Sequence, residues 1–115
     1  MATFTKVKLS GSTNGRGIAV AATATLGTTI HTAHATALDE IWLYANNIHS
    51  SAVTLTVEFG GVTSTSDLIQ QSIAVTPSGL VLVVAGLLVT GSVVVTAFAG
   101  TANKIELFGF VNRIA

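Results

Sequence analysis

Three histidines, His31, His34 and His49, and the adjacent acids Asp39 and Glu40 are the first side chains in this chain to weigh for metal binding or proton transfer. On a helix, residues three apart such as His31 and His34 would share a face as ligands. On a strand the odd spacing sends them to opposite faces. Their Thr-rich setting, TTIHTAHAT, favours strand or loop and leaves them as surface or interface histidines. Zinc needs three or four convergent ligands, and only Asp39 and Glu40 lie near the pair, with His49 a distant third. Asp39 and Glu40 would point apart in a strand, so they do not make the facing carboxylates of glycoside hydrolysis. Capping or turn roles suit them better. Serines are plentiful, yet there is no GxSxG elbow and no histidine or acid at a recognisable offset for a nucleophile. The glycine-rich GSTNGRG lacks the GxxxxGK[ST] pattern and the following helix of a phosphate cradle, so it reads as a hairpin turn. These residues predict no catalysis, no metal and no cofactor.

Composition narrows the classes further. Charged residues make up 9% of the 115 positions and hydrophobic ones 50%, and no charge occurs between Asp67 and Lys104. A lone soluble domain is normally about one-quarter charged, so a membrane or neighbouring subunits must cover part of this exterior. Five basic and five acidic residues give zero net charge, which provides no electrostatic footprint for nucleic acid or anionic lipid. The absence of cysteine excludes disulfides, thiolate catalysis and cysteine-based zinc sites, and fits synthesis in a reducing cytoplasm. Weak charge repulsion and a greasy surface favour self-association.

The membrane alternative rests on residues 79–100, GLVLVVAGLLVTGSVVVTAFAG, long enough for a span of about 20 residues. Thr90, Gly91 and Ser92 interrupt it before Val93, Val94 and Val95, a pattern of two strands and a turn. Only Lys104 and Arg113 follow it, too thin a positive flank to orient a helix. The first residues, MATFTKVKLSGSTNG, contain no apolar core of a signal peptide.

Thr and Val dominate, proline appears once, and eleven glycines fall at turn-like intervals, predicting an all-β single domain over residues 1–115, a β-sandwich or jelly-roll of about eight short strands. In residues 3–9, Phe4 and Lys6 take one side and Thr5, Val7 and Leu9 the other, ahead of a tight turn at Asn14-Gly15. Strands are expected over 16–22 and 28–33, the small-residue tract 19–36 forming a strand pair. Residues 52–59 alternate Val53, Leu55, Val57 and Phe59 inward against Thr54, Thr56 and Glu58 outward, a half-solvated strand. Loops are expected at Gly60–Ser66, around Pro77-Ser78-Gly79 and at 100–103, with further strands over 67–75, 80–84, 87–97 and 104–111. In DEIWLYANN, Ile41, Leu43 and Ala45 face one way and Trp42 and Tyr44 the other. Both faces therefore carry bulk, which marks a central or interfacial strand. Trp42 and Tyr44, with Phe108 and Phe110 on the last strand, are the expected subunit-interface residues, large aromatics being the usual anchors of such contacts.

The succession GSTNGRGIAVAATATLGTTIHTA, LDEIWLYANN, VTLTVEFGG and SGLVLVVAGLLVTGSVVVTAFAGTANKIELFGFVNRI resembles a group of small proteins encoded among the virion genes of tailed bacteriophages. The resemblance covers nearly the whole chain and carries no residue-level site. It implies a virion structural protein on the phage head surface, made in the host cytoplasm. The form inferred is a trimeric capsid decoration, or cement, protein of β-sandwich type that clamps the major capsid protein at local threefold positions. The competing class is a receptor- or carbohydrate-binding module of a tail or fibre, in which Trp42, Tyr44 and the Gly60–Ser66 loop would meet a glycan. A small membrane protein is the third.

Overall fold

Alternating Thr and Val with frequent glycine turns produce nine strands and no helix among residues 2–62, 66–75 and 79–115, which the computed structural model describes. The strands are β1 (Phe4–Lys8), β2 (Ile18–Ala19), β3 (Thr28–Thr32), β4 (Leu38–Asn47), β5 (Val53–Phe59), β6 (Leu68–Ile73), β7 (Val81–Val89), β8 (Val94–Ala99) and β9 (Ile105–Ile114). Apart from the two-residue β2, they pair as nested hairpins: β1 with β9, β3 with β8, β4 with β7, and β5 with β6. Successive pairs fall in alternate sheets, ordered β1-β9-β4-β7 and β3-β8-β5-β6, every pairing antiparallel. A long antiparallel hairpin rolled into two layers in this way is a jelly roll, a form of β-sandwich. The core lies between the layers, where Ile41, Leu43 and Ala45 of β4 meet Leu55 and Val57 of β5 and Val95 and Ala97 of β8, all at most 1% exposed.

Local turn chemistry explains where the chain reverses. At Asn14-Gly15 both residues have positive φ, 56° and 82°, and the Arg16 N–H donates to the Thr13 carbonyl. This is the expected tight turn, in the geometry that Asn-Gly favours. Residues 79–100 contain no spanning helix, and none of the described residues form a helix long and apolar enough to cross a membrane. Gly91 and Ser92, at φ 67° and 61°, turn the chain between β7 and β8.

Several expectations need correction. β7 continues through Ala85 and Gly86, and the strand expected over 87–97 is two strands, because the polar trio after Val89 reverses the chain. Of residues 16–22, only Ile18–Ala19 form a strand, and residues 21–27 make a strap instead of half a strand pair. Phe59 is half-buried, whereas Glu58 and Thr56, expected outward in solvent, are buried at 0% and 3% exposure. The strap covers Glu58: Thr25 Oγ1 and the Gly27 N–H both donate to its carboxylate, while the Ala22 carbonyl accepts from the Ala99 N–H. The loop expectations for 63–65 and for Pro77-Ser78 lie outside the described residues.

Candidate contact face

In β4 the side chains of Asp39, Ile41, Leu43, Ala45 and Asn47 are buried, so those of Glu40, Trp42, Tyr44 and Asn46 stand on the outer face. Register with β9 sets Trp42 opposite Phe110 and Tyr44 opposite Phe108. The four expected interface aromatics therefore share one surface, and all are half-buried. Trp42 and Phe110 stack with ring centroids 6.1 Å apart and planes 11° from parallel. The Lys6 ammonium lies 4.6 Å from the Phe110 centroid, a cation–π contact.

Glycines make room for this layer. Gly86 has φ 72°, and a Cβ there would come within 3.0 Å of the Trp42 ring; a Cβ on Gly17 would meet the Phe108 ring at 2.6 Å. Glu40 then fixes the indole, since its Oε1 accepts from Trp42 Nε1 at 2.8 Å and from Asn112 Nδ2 at 2.9 Å. Those two hydrogen bonds, Asn112's first, hold the Glu40 carboxyl below its usual pKa. Exposed apolar side chains flank the aromatics: Phe4 at 71%, Leu88 at 58%, and Leu82 and Leu38 at just over 40%. Such a layer of rigid aromatics with exposed leucines suits protein contact, because little side-chain freedom is lost on burial.

Behind this face lies a buried charged centre. Asp39 receives Arg113 Nε at 2.7 Å, Arg113 Nη2 at 3.0 Å, His31 Nε2 at 2.8 Å and the His34 N–H at 3.2 Å. Burial pushes the Asp39 carboxyl up, but the hydrogen bonds from Arg113, His31 and His34 together outweigh it and lower the pKa to about 2. His31 Nδ1 accepts from the Ser10 N–H at 3.0 Å, which leaves the Nε2–H tautomer to donate to Asp39. His31 is thus a buried structural residue, contrary to the surface or interface position expected, because this pair satisfies both ring nitrogens. Asp39 and Glu40 do point apart, as expected, but they act within β4 and neither caps nor turns the chain.

Glu58 forms a second buried centre. Burial raises its pKa, but bonds from Thr25, Thr96 and the Gly27 N–H leave it lowered overall. Thr96 Oγ1 donates at 2.6 Å and Gly27 N at 2.8 Å.

The exposed His34 and half-buried His49 use Nδ1 to accept local N–H groups, from Ala37 and Ser51 respectively, and the three histidines do not converge. Trp42 and Tyr44 lie on one sheet, while Gly60 and Gly61 follow β5 in the other; residues 63–65 of the expected glycan loop lie outside the described residues. Sequence reasoning missed Arg113, Lys6 and Asn112. The lone arginine in an apolar last strand was the available signal for the first. Comparison with protein-family models, curated proteins and solved structures finds no match.

Proposed function

We propose that this chain is a structural protein of a tailed-phage virion that binds the assembled head shell of major capsid protein and stabilises it as a homo-oligomer. The observation that carries this reading is the outer face of the β1-β9-β4-β7 sheet, where Trp42, Tyr44, Phe108 and Phe110 form a braced layer beside exposed Leu82 and Leu88. The uncharged run from Leu68 to Asn103 supplies β7, so that strand brings no charge of its own to be desolvated. Jelly rolls recur in viral coat and lectin domains, which fits the reading without deciding it, since a fold hosts many functions.

In this mechanism the product of the protein is binding energy. Covering apolar surface gains roughly 25 cal/mol per Å², from which the cost of association is subtracted. A ligand that binds only the assembled shell stabilises it by mass action. The reading requires self-association, and the number three comes from the family resemblance alone.

Heat-triggered DNA release from particles with and without the protein tests the proposal. Undecorated heads are expected to open at lower temperature, and purified protein added back to expanded heads is expected to restore the difference. Equal release curves, with the protein found on tails and none on heads, would overturn it.

A further inference from the structure

The β1 side of the same face has a different chemistry from its leucine side. Register aligns Lys6 with Asn112 and Asn112 with Glu40, so an ammonium, a carboxamide and a carboxylate form one row across three neighbouring strands. Neighbouring strands lie about 4.8 Å apart, which sets the spacing of the row. Two residues along, Phe4 and Ile114 form an apolar row beside it. Together Phe4, Thr5, Lys6, Glu40, Asn112 and Ile114 line an open cleft of about 340 Å³.

Glu40 and Lys6 are held here by uncharged partners, and neither has used all its hydrogen-bonding capacity. Glu40 Oε1 takes both internal donors, Trp42 and Asn112, and Oε2 receives none among the described residues. Asn112 spends one amide N–H on Glu40, leaving its carbonyl oxygen as an acceptor. Lys6 rests its charge on the Phe110 ring while retaining ammonium donors.

We propose that this cleft binds a neutral pyranose sugar. A sugar hydroxyl both donates and accepts, so adjacent hydroxyls match a carboxylate or amide oxygen beside an ammonium. The C–H face of the ring matches the exposed Phe4 side chain and Ile114. One negative and one positive group give the cleft no net charge, which suits an uncharged ligand, whereas either ionic class would meet a like charge. Phe4, Lys6, Asn112 and Ile114 lie on β1 and β9, and only Glu40, opposite Leu88, borders the leucine side; the site goes beyond the shell-binding reading, and sugar binding by the free protein is tested separately from it.

The chain has one tryptophan, and its indole N–H is bonded to Glu40, so that resonance reports directly on the cleft. Isotope-labelled protein is titrated with the methyl pyranosides of glucose, galactose, mannose and N-acetylglucosamine up to tens of millimolar, with free glycine and leucine as zwitterionic controls. At least one pyranoside is expected to shift the indole signal saturably. Lys6→Met, at an exposed position, and Glu40→Gln, at a half-buried one, are each expected to weaken that binding by about tenfold, the loss of one charge-assisted hydrogen bond. Lys6→Met removes no hydrogen bond to Glu40 or Asn112 and keeps the proposal testable if the Glu40 variant misfolds. No response to any pyranoside, a response unchanged in Lys6→Met, or a response to the amino acids alone would overturn it.

Discussion

Replacing Asp39 with asparagine should change both the stability of the protein and its dependence on pH. The Asp39 carboxyl sits at about 2 instead of its ordinary 3.8, held there by Arg113, His31 and the His34 N–H against the opposing effect of burial. At about 1.4 kcal/mol per decade, that difference amounts to about 2 kcal/mol of native-state stability. Because the folded value is the lower one, this contribution is complete above the unfolded value and is lost as pH falls from about 4 through 2; roughly half is gone by pH 3. The carboxamide of the Asp39→Asn variant has no charge to lose. At pH 7 the substitution should cost about 3 kcal/mol, since the amide N–H₂ must face donors from Arg113 or His31. Urea unfolding of both proteins at pH 7, 4 and 3 measures this. The gap between them should narrow by about 1 kcal/mol from pH 7 to pH 3. Subtraction removes the contributions of the other carboxylates, Glu40 and Glu58 among them. A gap that stays constant across that range would refute the assignment of the buried ion pair.

Other outcomes follow from the same structure. Glu58→Ala should destabilise the fold by about 3 kcal/mol, because Thr25, Thr96 and the Gly27 N–H lose their acceptor together; hydrogen exchange should rise first at Ala22 and Gly27, and unchanged protection there would count against the strap. Gly86→Ala should cost about 1–2 kcal/mol through its positive φ and should displace the Trp42 ring, seen as altered tryptophan fluorescence. Trp42→Ala should weaken association by more than about 2 kcal/mol, read from the concentration dependence of sedimentation. If it lowers only the stability of the single subunit, the tryptophan serves the fold and not the contact.

Strand identity and the facing of most side chains were legible in the sequence because a strand's alternation is local. Ile41, Leu43 and Ala45 could be set against Trp42 and Tyr44 from five consecutive letters, and the structure keeps that division. The Asn14-Gly15 turn was legible for the same reason, since its backbone geometry depends on two residues. Alternation fails at Glu58, where the outward side of a strand is covered by a strap arriving from residues 21–27. No local pattern encodes what lies above a sheet.

Long-range register decided the rest. Asp39 finds Arg113 across 74 positions, and Glu40 finds Asn112 across 72, because β4 and β9 lie side by side only after the hairpin has rolled over. Residue types alone established low charge, absent thiols and β-forming strands, all properties that add along a chain. The convergence of Lys6, Asn112 and Glu40 into one cleft, and of four aromatics onto one face, belongs to the pairing of distant strands, whose energy depends on partners that the chain itself does not order by proximity.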